Sequence, residues 1–268
     1  MFEELGIAEE DALASALPAA ALSSPGYDDP NDLDNVPADI RKSYEVHTWR
    51  NGATLLRHAC PEEFSDVMDV LRSFRLARTY ILKDKESNSA EDLVEARGGG
   101  NKSLISKAID SGLYRRGWAE TRFDTTITVK SFVRRGNQRL KGAADPNKSG
   151  ILSNVVEYIA PTHNVDCFKN GVAFEIEWNN KDPFFDRDLN NFRLLFDLRM
   201  VSVGVIVTRS SSLRAFLSQF MPKSTATRKY GRNTTHMEKL EALLQGGNGG
   251  GCPVLAFGIT EALYDSTR

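Results

Sequence analysis

Three acidic residues, Asp166, Glu175 and Glu177, flank the dipeptide Asn170-Gly171, which is typical of a two-residue β-hairpin turn. In such a hairpin Asp166 lies directly opposite Glu175, with Cβ atoms about 4.5–5.5 Å apart. Glu177 follows Glu175 by two residues, so its side chain points to the same face of the strand. The spacing therefore predicts that one face of a hairpin carries three carboxylates.

The opposite face of the second strand is apolar and consists of Val172, Phe174, Ile176 and Trp178. Two carboxylates about 5 Å apart repel each other by about 3 kcal/mol at an effective dielectric constant of about 20, so their convergence needs compensation. A divalent cation such as Mg²⁺, which takes oxygen ligands, would provide it, and so would a shared proton or a neighbouring Lys or Arg. The alternative is a half-exposed hairpin with solvated acids. Because three acids converge opposite a wholly apolar face, we favour a metal-binding site.

The segments around the hairpin predict a chain that mixes strands and helices. Strands are predicted at Thr125–Val133, Val155–Phe168, Val172–Trp178, Val201–Thr208 and Pro253–Ile259, and helices from Pro61, from about Ser103 to Gly117, at Asp186–Arg199 and at Thr235–Leu244. A further hairpin is predicted at residues 44–58, with Asn51-Gly52 as its turn. The order of these elements predicts an α/β (α+β) fold with a mixed β-sheet.

The 268-residue chain carries 34 basic and 36 acidic side chains, but the two charges are unevenly distributed. Residues 1–40 hold ten of the acids and no Lys or Arg, which leaves residues 41–268 with 34 basic against 26 acidic side chains, a charge of +8. Residues 41–268, the basic body of the chain, carry an excess of positive charge that favours a nucleic-acid partner. We expect residues 1–40 to form an acidic, flexible leader and residues 41–268 to form a single domain.

The composition also excludes several classes of protein. No apolar run approaches the roughly 18–20 residues of a membrane span, and the N-terminus lacks the pattern of a secretory signal. Cys60, Cys167 and Cys252 lie far apart and form no CxxC pair, so neither a disulfide framework nor a zinc ribbon is predicted. The four histidines show no ligand spacing, and His163 is interpreted as structural. We expect a cytoplasmic protein with no membrane partner.

The pattern Asp-x8-Glu-x-Glu across a hairpin resembles the active site of the PD-(D/E)xK nuclease superfamily. Segments between about residues 95 and 260 are similar, in the same order, to the BglII/BstYI-type type II restriction endonucleases; they include GluIleGluTrpAsnAsnLysAspProPhe, AsnPheArgLeuLeuPhe, ValGlyValIleValThrArg and LysTyrGlyArgAsnThrThrHisMetGluLysLeu. The resemblance implies a restriction-endonuclease-like core, with helices on both faces of a central mixed β-sheet. It also implies that the catalytic core lies within these residues.

For the acidic residues, the resemblance implies that Asp166 and Glu175 bind Mg²⁺ and that Glu177 completes the catalytic set. The third position is usually Lys in the wider superfamily, whereas BglII-like enzymes carry an acid or an amide there. The group that activates the attacking water is therefore open, and Lys181 lies on the same face if the strand continues. The implied reaction is Mg²⁺-dependent hydrolysis of phosphodiester bonds in double-stranded DNA, which leaves 5′-phosphates.

Candidate DNA contacts fall on three predicted loops. They are Asn101, Lys102, Asn179, Asn180, Arg232, Asn233 and Thr234. The resemblance places Asn180 at a DNA-contacting position, and Asn233 and Thr234 in a loop that faces the groove, where Asn can form paired hydrogen bonds with adenine. Structural alternatives are a strand-end turn, a helix N-cap at Thr235 and a flexible linker. The basic segment 134–150 is a further candidate for phosphate contacts.

The resemblance also bears on partners. It implies a homodimer on a palindromic site, because a two-fold protein matches a two-fold site, and a prokaryotic source. A cognate DNA methyltransferase is implied as a functional partner and not as a bound one. The alternatives are a repair or structure-specific nuclease of the same superfamily and a DNA-binding protein that has lost catalysis, against which the intact acids argue. A two-carboxylate glycosidase is disfavoured, because Glu175 and Glu177 point side by side from one strand.

Overall fold

A computed structural model of the protein describes residue 29 and residues 31–82, 102–133, 151–160, 162–181 and 183–268. Most of the predicted leader, the predicted DNA contact Asn101 and the basic segment 134–150 lie outside the described residues. No helix within the described ranges combines the length and apolar character that crossing a membrane requires.

The described helices and strands alternate along the chain. In order they are α1 (Ala38–Ser43), β1 (Tyr44–Trp49), α2 (Gly52–Ala59), α3 (Pro61–Ser73), β2 (Leu76–Ala77), α4 (Arg78–Leu82), α5 (Leu104–Tyr114), β3 (Ala119–Thr121), β4 (Thr125–Val133), β5 (Ile151–Ala160), β6 (Val165–Lys169), β7 (Val172–Ile176), α6 (Phe184–Asp197), β8 (Val203–Arg209), α7 (Leu213–Leu217), α8 (Lys223–Tyr230), α9 (Met237–Gln245), β9 (Val254–Ile259) and β10 (Tyr264–Asp265). Short 3₁₀ helices occur at Asp32–Asn35, Ser218–Phe220 and Glu261–Leu263.

The central sheet has six strands among the described residues, in the order β1-β9-β8-β7-β6-β3. Strands β7, β8 and β9 are parallel neighbours, and β1, β6 and β3 join antiparallel. Every residue of β8 and β9 is buried, as expected for parallel strands that are covered on both faces. The prediction of a mixed sheet is confirmed.

Helices cover both faces of this sheet. On one face, Leu71 of α3 and Ile109 of α5 belong to the same apolar cluster as Phe174 of β7. On the other face, Phe192 of α6 packs in a second cluster with Ile206 of β8 and with α9. Alternate residues of each central strand therefore supply two cores, and the predicted arrangement of helices on both faces is confirmed.

The predicted hairpin at residues 44–58 is wrong. Strand β1 pairs antiparallel with β9, and Asn51 stands at the N-terminus of α2 with a left-handed φ of 56°. An added Cβ at Gly52 would overlap the carbonyl oxygen of Val254, so the glycine allows α2 to approach β9 closely. An Asn-Gly pair fits any turn that needs positive φ, and not only a hairpin. Here β1 pairs with the distant strand β9, so the pair leads into a helix instead of a second strand.

The predicted strand Val155–Phe168 is also divided in the structure. Residues 151–160 form β5, which pairs only with β4 among the described strands, and β6 begins at Val165 in the central sheet. The loop between the two strands contains His163. This division carries the chain from a separate two-stranded ribbon into the central sheet, immediately before Asp166.

The folded part of the chain begins before residue 41. Asp32 is 1% exposed, and its carboxylate accepts hydrogen bonds from the backbone N–H groups of Ala53 (3.1 Å) and Thr54 (2.7 Å) at the start of α2. Val36 and Ile40 lie in the core. The last part of the predicted leader is therefore built into the body, where Asp32 satisfies N–H groups that a helix N-terminus leaves without partners.

Candidate active site

The central hairpin has the predicted turn and register. Asn170 and Gly171 have φ values of 45° and 83°, both positive as the favoured two-residue turn requires. The register that pairs Lys169 with Val172 puts Asp166 opposite Glu175. The backbone N–H of Asp166 donates a hydrogen bond to Glu175 Oε2 at 3.3 Å, so the two acids meet as expected.

The tip of this hairpin is attached to α3. Lys169 Nζ lies 2.7 Å from Glu62 Oε1 and 2.9 Å from Asp66 Oδ2. The side-chain amide of Asn170 donates to Glu63 Oε1 at 2.7 Å. These contacts fix the orientation of the hairpin, and therefore the position of the acids at its other end.

Glu175 and Glu177 are buried, with exposures of 2% and 3%, which excludes the alternative of solvated acids. Burial, together with the negative charges of Asp188 and Asp166, raises the pKa of Glu175 well above its usual value. Burial and Asp188 likewise raise the pKa of Glu177 to about 10. The surroundings of both carboxyls therefore favour a bound proton or a bound cation.

A lysine offsets the charge of Asp166. Lys102 Nζ lies 2.7 Å from Asp166 Oδ1 and 2.9 Å from Asp110 Oδ2. Burial lowers the pKa of Lys102, but the two carboxylates outweigh this effect and raise it. The other carboxylate oxygen of Asp166 accepts from the backbone N–H of Ile176 at 3.3 Å. Lys102, predicted as a DNA contact, thus lies against Asp166 in the acid cluster, which Asp166, Glu175 and Glu177 form.

Two residues outside the predicted set complete this cluster. His163 Nε2 lies 3.0 Å from Asp188 Oδ1 and 3.5 Å from Glu175 Oε1. The three residues each offer a ligand atom within 4.8 Å of the others. The interpretation of His163 as structural missed this contact, because its partner Asp188 comes from α6 and not from the hairpin.

The sequence does contain a signal for Asp188. Phe185, Leu189 and Phe192 form the apolar stripe of α6, and Asp188 falls on that stripe, at the spacing i, i+3, i+4, i+7. An acid within a buried stripe is either paired or bound to a cation. In the structure Asp188 is fully buried, with 0% exposure.

Several polar atoms of the cluster fit a divalent cation. Glu175 Oε1, both carboxylate oxygens of Asp188 and His163 Nε2 are buried without a hydrogen-bond partner among the described residues. Arg187 approaches Asp188 Oδ1 only to 3.6 Å and Glu177 Oε1 only to 3.9 Å, and its side chain is half exposed. Carboxylate oxygens and imidazole nitrogens are donors that divalent metals accept, so the residues suit the cation that the acids predict.

The predicted DNA contacts after β7 lie in a well-packed turn. Asn179 has a left-handed φ of 59°, and its amide, oriented to satisfy both neighbours, donates to the carbonyl of Lys229 at 3.3 Å. The Asn180 amide donates to the Glu177 carboxylate, and the carbonyl of Asn180 accepts from the N–H of Thr235 at 2.8 Å. The strand therefore ends at Ile176 and turns, and a DNA contact by either asparagine stays a prediction.

The second predicted loop presents Arg232 and Asn233 to solvent. Thr234 is buried instead, and its hydroxyl accepts a hydrogen bond from Arg209 Nη2 at 3.0 Å. In this conformation Thr234 packs the loop against β8, whereas its two neighbours face outward. Lys181 would share the face of the acids if β7 continued to this residue. It lies beyond the end of β7, where it forms an isolated antiparallel β-bridge with Thr234.

The match to a known family covers the whole central sheet. The model of the family described as restriction endonuclease BglII/BglIII matches residues 44–259, from the first residue of β1 to the last residue of β9. A comparison with curated proteins gave no significant match. Restriction endonucleases cleave DNA at specific sequences, and the acid cluster lies entirely within the matched range. By the extent of this match, the chain belongs to the BglII/BglIII restriction endonuclease family.

Proposed function

We propose that this protein is a type II restriction endonuclease that hydrolyses phosphodiester bonds of double-stranded DNA at a specific sequence, requires Mg²⁺ and leaves 5′-phosphates. Family membership supports the reaction class. The observation that carries the rest is the convergence of Asp166, Glu175 and Glu177 at the end of one hairpin, where Glu175 Oε1 is buried without a hydrogen-bond partner among the described residues. Burying such groups costs stability, which a bound cation would offset.

Asp166 and Glu175 are the residues that would hold Mg²⁺. When bound, the ion supplies a water of lowered pKa and offsets the negative charge that develops on the phosphate. The chain positions both carboxylates beforehand, because Lys102 and the N–H of Ile176 hold Asp166, and the N–H of Asp166 holds Glu175. Side chains that are already oriented lose little entropy when a ligand arrives.

Glu177 connects the acid cluster to the predicted DNA-reading loop. Its carbonyl accepts hydrogen bonds from the hydroxyls of Thr208 (2.9 Å) and Thr235 (3.0 Å), and its carboxylate accepts one from Asn180. A displacement of residues 231–235 on cognate DNA would therefore act directly on the end of β7. In this proposal, the connection couples recognition of the sequence to the geometry of the acids.

The proposal includes contacts of the basic body with DNA phosphates and of Asn180, Arg232 and Asn233 with bases. Arg232 and Asn233 are exposed in the loop after α8, where they can reach a groove. A homodimer would place two such loops on a palindromic site. A methyltransferase of the same sequence specificity would protect the host DNA.

The experiment is cleavage of phage DNA of mixed sequence by the purified full chain in the presence of Mg²⁺. Discrete fragments with 5′-phosphate ends are expected, and chelation of Mg²⁺ should abolish them. Asp166→Asn should lower the cleavage rate by more than about 100-fold while DNA binding persists. Asp124→Asn is the matched control, because Asp124 is exposed and pairs with Arg122 on the surface.

Other outcomes contradict particular parts of the proposal. A smear of fragments would contradict sequence specificity and favour a repair or structure-specific nuclease. DNA that is bound and never cut would favour an inert binding protein. Full cleavage by Asp166→Asn would refute the assignment of Asp166 as a metal ligand.

A further inference from the structure

His163, Glu175 and Asp188 come from three different elements and meet inside the protein. His163 lies in the loop before β6, Glu175 on β7 and Asp188 on α6. His163 Nε2 is 3.0 Å from Asp188 Oδ1 and 3.5 Å from Glu175 Oε1. Neighbouring ligands of one small divalent ion lie about 3.0–3.5 Å apart when each bond is about 2.1 Å long. The two contacts of His163 fall in this range, and all three ligand atoms lie within 4.8 Å of one another, close enough for one ion to draw them together.

Unsatisfied polar atoms point to a ligand at this place. Asp188 is fully buried, and neither of its carboxylate oxygens has a hydrogen bond of good geometry among the described residues, although His163 Nε2 and the Glu177 carboxyl lie close to it. Glu175 Oε1 and His163 Nε2 are also buried and have no hydrogen-bond partner among the described residues. Buried polar atoms in folded proteins are nearly always satisfied, so three such groups around one point indicate that something binds between them.

The neighbouring Arg187 forms only long ion pairs with Asp188 and Glu177 and does not hydrogen-bond to either. Its guanidinium remains 3.6 Å from Asp188 Oδ1, beyond a hydrogen bond, while it stacks over Phe184 at 4.5 Å from the ring centre. The side chain of Arg187 is also 48% exposed, so solvent screens its charge. A cation between the three residues would contact one unsatisfied atom of each.

We propose that His163, Glu175 and Asp188 bind a second divalent cation, and that this site selects a transition-metal ion such as Mn²⁺, Co²⁺ or Zn²⁺. An imidazole nitrogen suits these ions, whereas Mg²⁺ prefers oxygen ligands and retains its waters. The site shares Glu175 with the proposed Mg²⁺ position, but does not use Asp166. The ion would fasten α6 to the central hairpin, and this role is independent of DNA cleavage.

The test uses Mn²⁺ alone as the probe, with the full chain freed of metal by a chelator and no DNA present. Pulsed electron paramagnetic resonance of bound Mn²⁺ should show coupling to an imidazole nitrogen. His163→Gln should remove that coupling and weaken Mn²⁺ binding at this site by at least about tenfold. Asp166→Asn should leave the coupling in place. His58→Gln, a change at an exposed histidine, is the matched control and should keep the coupling.

Thermal melting provides a second readout, which does not depend on detecting the imidazole nitrogen. Asp188→Asn preserves the shape of the side chain and removes one converging negative charge, so the metal-free variant should melt at the same temperature as the wild type or higher. The rise in melting temperature that Mn²⁺ gives the wild type should be absent from this variant.

Three results would overturn the site: the absence of nitrogen coupling in the wild type, its persistence in His163→Gln, or an unchanged Mn²⁺ response in Asp188→Asn. Failure of the proposed endonuclease function has a different signature. In that case the wild type would cut no DNA with Mg²⁺, while the nitrogen coupling and its loss in His163→Gln would remain.

Discussion

Lys102 is the residue that balances the charge at one end of the acid cluster. Its ammonium group bridges Asp166, a proposed metal ligand, and Asp110, which is 1% exposed. Burial raises the pKa of Asp110 to about 6, even though Lys102 opposes the effect. Because the charge of Lys102 is already paired with two carboxylates of the chain, it is not available to a DNA phosphate. The arrangement makes Lys102 a positioning residue for Asp166.

Lys102→Ala should lower the free energy of unfolding by about 2 kcal/mol, because it leaves a buried carboxylate without its ion-pair partner. We expect a value below that of a fully buried pair, since the side chain of Lys102 is 24% exposed. Chemical denaturation of the metal-free protein measures this change. Lys107→Ala on the following helix, α5, is the control and should have a small effect.

A double-mutant cycle separates this role from a simple DNA contact. Asp110→Asn removes the buried charge, so it should recover part of the stability lost in Lys102→Ala. Additive effects of the two substitutions would mean that the pair does not interact. A Lys102→Ala protein of normal stability that binds DNA weakly would instead support the predicted DNA contact.

At the scale of elements, the hairpin was predictable because its information is local. Asn170-Gly171 determines the turn, the turn determines the register, and the register brings Asp166 opposite Glu175. The Asn51-Gly52 pair has the same local signal, yet it begins a helix, because β1 pairs with the distant β9. Contacts between distant segments decide such cases, and no local pattern reports them.

The same limit explains which site residues the sequence pattern missed. Asp188 reaches Glu175 only because α6 packs across β8, and His163 reaches both because β5 and β6 are separate strands. The three acids within the hairpin could be predicted from spacing alone. The residues that arrive from other elements could not, although an acid on the apolar stripe of α6 marked a buried charge.

Gly204 controls how closely α6 approaches the sheet. An added Cβ at this position of β8 would overlap the ring of Phe192, which lies one turn after Asp188. Gly204→Ala should therefore destabilise the protein by about 1–3 kcal/mol, because the core has no room for the methyl group. Thermal or chemical unfolding measures the change. The displaced helix should also weaken Mn²⁺ binding that depends on Asp188.

Two comparisons test this explanation. Phe192→Leu makes space at the contact, so the Gly204→Ala/Phe192→Leu double variant should lose less stability than the sum of the single changes. Gly246→Ala at the end of α9 is a control, because Gly246 has a helical φ of −69° that alanine accepts. A Gly204→Ala protein as stable as the wild type would show that α6 is not held by this contact.

At the scale of the whole molecule, the family match, the charge distribution and the burial of residues each suggest a different start for the folded part of the chain. The matched residues, 44–259, coincide with the central sheet, while the acidic excess lies before them. Asp32, Val36 and Ile40 nevertheless belong to the core, so the N-terminal region cannot be treated as one unit. The acidic excess is a property of composition, whereas the burial of these three residues shows that the folded part includes residues before position 41.

Residues 1–28 carry six acidic and no basic side chains, so a chain that lacks them changes from a net charge of −2 to +4. We expect this truncation to bind non-cognate duplex DNA several-fold more tightly at about 50 mM salt, because it removes negative charge that competes with phosphate for the basic body. The difference should shrink at about 300 mM salt, where exposed charges are screened. Fluorescence anisotropy of a labelled duplex measures both affinities.

A second truncation separates charge from folding. Removal of residues 1–40 also removes Asp32, Val36 and Ile40, so this protein should melt at a lower temperature than the one that lacks only residues 1–28. Tighter DNA binding in the shorter truncation, with an unchanged melting temperature, would identify the acidic segment as a brake on non-specific binding. Equal affinities at low salt would contradict that role, because an electrostatic effect of six negative charges should be largest when screening is weak.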